Sequence, residues 1–205
     1  MQRLKKLRIF CGPNGSGKST LFDNVKGHFS EIPFINADEI ERIITNQKWI
    51  DLSNYNLNLS AKDLSDFLKK SEAKSLIEKA KEEGHEIKIG LRENCIVVDS
   101  HNIHSYKAAL IASFIRWAMY KNGNGFAFET VMSHKSKLKE LTAAKKKGYK
   151  IYLYFVCIDN PDINIERVKD RVKKGGHNVN PDKLRARYYS TLENLYPAIL
   201  LADRV

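Results

Sequence analysis

Apolar and polar positions along the chain switch repeatedly between a period of two and a period near 3.6. Leu7-Arg8-Ile9-Phe10-Cys11 is a short β-type run, and Thr20-Leu21-Phe22-Asp23-Asn24-Val25 continues as an amphipathic helix. Ile32-Pro33-Phe34-Ile35-Asn36 reads as a second short strand, and the residues from Ala37 onward carry apolar positions at Ile40, Ile43 and Ile44, a helical spacing. From Ser60 to Gly84 the stripe Leu64, Phe67, Leu68, Leu76, Ile77 and Ala80 predicts one long helix with Gly84 just past its end. Glu86 to Gly90 and Cys95 to Asp99, joined by Leu91-Arg92-Glu93-Asn94, have the pattern of a hairpin. Ser105 to Lys121 is expected as a helix, with Trp117 on its apolar face and therefore in the core. Phe126-Ala127-Phe128 predicts a buried strand ending in Glu129-Thr130, and Tyr149 to Ile158, the longest β-type run, a central parallel strand with Cys157 packed inside it. Strands alternating with helices predict an α/β fold, a mostly parallel central sheet flanked by helices, with a β-hairpin insertion at about 85–100.

The chain of 205 residues is 42% hydrophobic and 29% charged, the composition of a globular protein, and its length fits one domain spanning residues 1–205. Lysine and arginine exceed aspartate and glutamate by 35 to 24, a net charge of +11, so the expected partners are anionic. Cys11, Cys95 and Cys157 lack the spacing of a zinc site or a disulfide framework and are expected as buried thiols of a reducing compartment. The N-terminus lacks a signal-peptide apolar region, and no apolar run approaches membrane-spanning length, so a cytoplasmic location with no membrane partner is expected.

The segment Gly12-Pro13-Asn14-Gly15-Ser16-Gly17-Lys18-Ser19 has the form G-x-x-x-x-G-K-[ST] and sits between the first strand and the first helix. In that context the glycines let backbone N–H groups converge on phosphates, Lys18 supplies a cation, and the Ser19 hydroxyl can ligate Mg²⁺. Residues Gly12 to Thr20 are thus expected to bind a nucleotide. Without an Asn-Lys-x-Asp guanine reader, that nucleotide is expected to be ATP. Asp38, after the second strand, can accept a proton from a substrate hydroxyl if the sheet presents strand ends to ligand; a helix N-cap is its structural alternative. Glu129, delivered by a buried strand, suits a Walker-B-like or substrate-binding carboxylate. Among the lysines from 135 to 150 only Tyr149 is aromatic, near the end of the run, and they are expected as a solvated helix face.

Pro161 opens a helix with Ile165, Val168 and Val172 on its buried side and Arg167, Arg171 and Lys174 on the other. Gly175-Gly176-His177 then interrupts the chain, and Pro181 restarts a helix with Arg185 and Arg187 beside a spine of Leu184, Tyr188, Leu192 and Leu195. Two basic helices around a Gly-Gly hinge predict a lid at about 161–190, whose closure would bring arginines to the transferred phosphoryl group and exclude water.

Taken together, Gly12 to Thr20, Phe34-Ile35-Asn36-Ala37-Asp38-Glu39, Phe126 to Ser133, and Arg167 to Val172 followed by Gly175-Gly176-His177 resemble the zeta-toxin-like family of P-loop kinases. The resemblance implies a P-loop kinase fold and transfer of the ATP γ-phosphate, with Mg²⁺, to a hydroxyl of a small anionic acceptor, UDP-N-acetylglucosamine in zeta toxins. It also implies a possible antitoxin partner. Carried over by motif, Asp38 is similar to the catalytic base, Glu129 and Thr130 to substrate binders, and Arg167 and Arg171 to phosphate-contacting lid arginines. Two other readings are compatible with the residues: a kinase acting on nucleic-acid ends, and a non-catalytic ATP-binding regulatory module.

Overall fold

A strand with buried residues on both faces must be covered on both, and β1 (Lys6–Cys11) is such a strand: Leu7, Ile9, Phe10 and Cys11 are fully buried. The computed structural model describes residues 5–29, 32–99, 103–173 and 179–205. After β1 come α1 (Lys18–Val25), β2 (Phe34–Ile35), α2 (Ala37–Gln47), β3 (Trp49–Asp51), α3 (Ala61–Leu68), α4 (Ser71–Glu82), β4 (Ile89–Arg92), β5 (Cys95–Val98) and α5 (Ser105–Asn122). They are followed by β6 (Phe126–Thr130), α6 (Ser136–Lys146), β7 (Lys150–Phe155), α7 (Pro161–Lys173) and α8 (Pro181–Leu201). The chain divides into two compact units, one of Met1–Ile32 with Gly125–Val205, the other of Pro33–Asn124.

In the first unit β1 lies between β6 and β7, parallel to both, with Cys11 in register with Thr130 and Phe155. The strand expected at the centre, β7, instead flanks β1, and its other side is met by the bridge between Tyr152 and Arg204. Its alternating burial shows the difference: Ile151 and Leu153 are buried, whereas Tyr152 and Tyr154 are half-buried. Phe10 stacks on Tyr154 and meets Phe22 of α1 edge-on, which fixes α1 against the sheet. α6 packs on β7, and α8 packs on both α6 and α7. On α8 the buried side runs through Leu184, Tyr188, Thr191, Asn194 and Ala198, whereas Leu192, expected in the spine, is exposed. Two polar residues replace it because they bind backbone: Thr191 Oγ1 donates to Val131 O and Asn194 Nδ2 to Met132 O, holding the segment after β6.

The second unit contains an antiparallel sheet of order β3-β5-β4. The expected hairpin is present, but its first strand starts at Ile89 and its turn is Glu93-Asn94, both with positive φ. The third strand, β3, is too short to show a period in the sequence. The long helix expected over 60–83 is two helices, broken where Lys70 adopts an extended conformation (ψ 146°). α5 is buried on almost every side: even Lys107 is only 1% and Arg116 8% exposed. The Arg116 guanidinium donates to Ser113 Oγ and lies 3.6 Å from the Glu72 carboxylate. Trp117 packs half-buried against Phe67 and Phe114, in agreement with the core expectation.

At the start of α3 the Asp63 carboxylate accepts hydrogen bonds from Ser60 N, Ser60 Oγ and Lys121 Nζ. These donors hold its pKa down at about 2, with the Lys121 bond the largest cause. An unfolded Asp titrates near 3.9, so this contribution to stability is complete above that value and is lost as pH falls through about 2. Asp63→Ala is expected to cost about 1 kcal/mol at pH 7 in urea denaturation and little at pH 2. An equal cost at both pH values would contradict the assignment.

Candidate active site

The chain leaves β1 through the glycine-rich segment and enters α1 at Lys18, with Gly17 at the N-cap in the left-handed region. Two glycines there are required by close approach. A Cβ on Gly12 (φ +147°) would lie 1.9 Å from Val156 O, and a Cβ on Gly15 (φ +76°) 2.6 Å from Asn164 O in α7. The loop is therefore pressed between the end of β7 and the first turns of α7.

Lys18 is only 6% exposed; its ammonium donates to Pro13 O at 2.9 Å and stands 3.6 Å from Glu129 Oε1. The Ser19 hydroxyl donates to Glu129 Oε2 at 2.8 Å. Glu129 directly follows the buried residues Phe126, Ala127 and Phe128 of β6, two strands of one sheet thus bringing the loop and the carboxylate together. Asn14 Oδ1 and Ser16 Oγ are buried without a hydrogen-bond partner among the described residues, as are both amide atoms of Asn164. Backbone amides at a helix start, a fixed cation, a hydroxyl beside a carboxylate, and buried polar atoms awaiting partners are a donor set that fits a nucleotide phosphate and its Mg²⁺. Burial also pushes the Cys11 thiol, at the end of β1, up to about 12, so it stays neutral beside Lys18.

Thr130 acts locally, its Oγ1 accepting from Met132 N and stabilising a turn in which Met132 takes φ 61°. Arg167 and Arg171 are exposed on α7, whose opposite side packs Ile165 and Val168 against Leu184 with Val172 and Val179 at the margin. Arg185 pairs with Asp162, joining α8 to the start of α7. The expected Gly-Gly-His hinge and Lys174 lie outside the described residues. Asp38 belongs to the other unit, where it is the second residue of α2 and exposed; the N-cap is Asn36, whose Oδ1 accepts from Asp38 N and Glu39 N. The capping role therefore falls to Asn36 and not to Asp38.

Sequence reasoning did not single out Asn164, although it falls on the same helical face as Ile165, Val168 and Val172; a polar residue inside an apolar stripe was the available signal. Cys157 corrects a different expectation: it lies beyond β7 and is exposed, its thiol donating to Ile158 O. Cys95 is half-buried, so of the three thiols Cys11 alone is buried. Among the described residues no helix is long and apolar enough to cross a membrane.

Residues 98–197 match the family model described as Zeta toxin. An uncharacterized protein of Haemophilus influenzae is 36% identical over 64 residues, 31% of this chain and 46% of that protein, so the match spans under half of its length. The PezAT chromosomal toxin-antitoxin structure of Streptococcus pneumoniae superposes with a TM-score of 0.53 at 13% identity, covering 98% of this chain and 66% of that one. The Pnkp1/Rnl/Hen1 RNA repair complex gives 0.52 at 13% identity, covering 96% and 47%. At such identities the two structures share the fold. The chain is thus similar to the Zeta toxin family over residues 98–197, just under half of its length, and shares the fold of both structures over nearly all of it.

Proposed function

We propose that the protein is a Mg²⁺- and ATP-dependent kinase that transfers the γ-phosphate to a hydroxyl of a small anionic acceptor, with UDP-N-acetylglucosamine as the first acceptor to test. The observation that carries the reading is the meeting of Lys18, Ser19 and Glu129 at the start of α1. Lys18 is held where a cation can neutralise β- and γ-phosphate oxygens, and the loop's backbone orients them. Ser19 and Glu129 are the residues that would hold Mg²⁺, which would supply positive charge against the charge developing in the transfer. The contacts of Glu129 favour this role over acceptor binding. Asp38 takes the proton from the acceptor hydroxyl, Arg167 and Arg171 stabilise the charge on the moving phosphoryl group, and Thr130 shapes the turn beside Glu129.

Incubation with γ-labelled ATP and Mg²⁺, with UDP-N-acetylglucosamine in one reaction and a small-metabolite extract in another, tests the reading directly. Label on the sugar nucleotide supports both enzyme and acceptor. Label on an extract component alone supports the kinase and discards that acceptor, and no transfer to anything overturns the kinase reading. Asp38→Asn is expected to lower transfer by about 10²–10⁴-fold with ATP affinity changed less than about threefold. Full activity in that variant would remove Asp38 from the mechanism. An antitoxin-like partner remains part of the proposal, supported by the shared fold with the toxin-antitoxin structure.

A further inference from the structure

We propose that the open face of the three-stranded sheet in the Pro33–Asn124 unit is a binding site for a nucleobase carrying phosphate, the ring stacking on Trp49 and the phosphate drawn to Lys48 and Arg92. The alternation of the strands sorts the sheet into two faces. Ile50, Ile96 and Leu91 point to the core and are buried, which leaves Trp49, Asp51, Cys95, Val97, Gly90 and Arg92 on the other, the Asp51 carboxylate accepting from Ser53 N. That outer face bounds a cavity of about 490 Å³ lined by Lys48, Trp49, Arg92, Glu93, Cys95 and Val97. A second cavity of about 570 Å³ shares Arg92 and Val97 with it and adds Lys88 and Gly90.

Three features favour that ligand chemistry. Trp49 is 43% exposed, an aromatic surface left uncovered beside the half-buried Val97 and Cys95. The floor is flat because Gly90 faces Val97 across the ladder; a Cβ at Gly90 would stand 3.3 Å from Val97 Cγ2. The rim is cationic: Arg92 is exposed and pairs with no carboxylate among the described residues, and Lys48 uses its ammonium for the helix-end carbonyl of Thr45 with donors to spare. The acidic residues nearby are Glu93 in the first cavity, Asp99 in the second and Asp51, which is engaged by Ser53 N. Strand spacing places Arg92 roughly 12 Å from Trp49 along the sheet, within reach of a nucleotide whose base lies on the indole. Stacking on an aromatic platform with cations tracking the backbone is how single strands are held without sequence preference.

The test is titration of the full chain with a short labelled oligouridylate, followed by anisotropy and by tryptophan fluorescence in a Trp117→Phe background, where Trp49 is the remaining tryptophan. Saturable binding with quenching is expected. Trp49→Ala should weaken binding about ten- to a hundredfold, Trp49→Phe much less, and Arg92→Gln should lower the salt dependence by about 0.7 in slope. Lys18→Ala, at the phosphate loop, should leave this binding unchanged. Oligouridylate binding tighter than uridine monophosphate identifies a strand as ligand; equal affinity identifies a mononucleotide, and both support the site. No saturable binding, or binding indifferent to Trp49→Ala and Arg92→Gln, overturns it. Trp49→Phe and Arg92→Gln keep the test decisive if the alanine variant fails to fold, which circular dichroism reports.

Discussion

Lys18→Ala is expected to lower phosphoryl transfer by about a thousandfold or more and to weaken ATP binding at the same time. The size of the effect follows from preorganisation. The ammonium is already buried and oriented by Pro13 O at 2.9 Å, so no solvent reorganisation is needed when phosphate charge develops beside it. Removing it also takes the ammonium from beside the Glu129 carboxylate, only 15% exposed and 3.6 Å away, so the negative charge that incoming phosphate meets is less compensated. Lys18→Arg should not rescue activity, because a planar guanidinium cannot occupy a niche closed around an ammonium. The contrast with Asp38→Asn is the diagnostic part: the lysine variant loses binding and rate together, the aspartate variant rate alone. Transfer by Lys18→Ala within tenfold of the wild type would sink the role given to the loop.

What the sequence made legible and what it did not divide along a physical line. The glycine-rich loop between β1 and α1, β1 itself, β6 with Glu129, and the proline starts of α7 and α8 were readable because each is dictated by local chemistry: a backbone that needs glycine, a strand with apolar residues on both faces, a ring that fixes φ. The link from Ser19 to Glu129 spans 110 positions and was not readable as a contact, although each partner was. The break at Lys69-Lys70 was hidden because both halves keep a helical stripe, and tertiary packing of α3 and α4 against α5 decides where the chain turns. The position of β7 beside β1 was masked by its mixed run of aromatic and aliphatic residues, which suits a flanking strand with half-covered tyrosines as well as a central one. On α8, Thr191 and Asn194 took positions that hydrophobicity assigned to Leu192, because backbone after β6 needed donors.

Gly12→Ala is expected to be the most damaging single-methyl substitution in the loop. The new carbon would sit 1.9 Å from Val156 O and 3.0 Å from Val156 C, both backbone atoms, so no side-chain rotation relieves the clash. Val156 N donates to Cys11 O at 2.9 Å, so displacement of Val156 loosens the β1–β7 ladder at the point where it delivers the loop. The φ of +147° adds strain for any residue with a Cβ. A loss of at least about 3 kcal/mol in urea denaturation is expected, combining overpacking with backbone strain. Gly15→Ala meets Asn164 O at the longer distance of 2.6 Å, and there α7 can retreat as a body. Its cost should be smaller, about 1–2 kcal/mol, with the loss concentrated in ATP affinity because the loop and α7 separate. Equal destabilisation by the two variants would show that the loop is clamped no more firmly by β7 than by α7, contrary to the packing described.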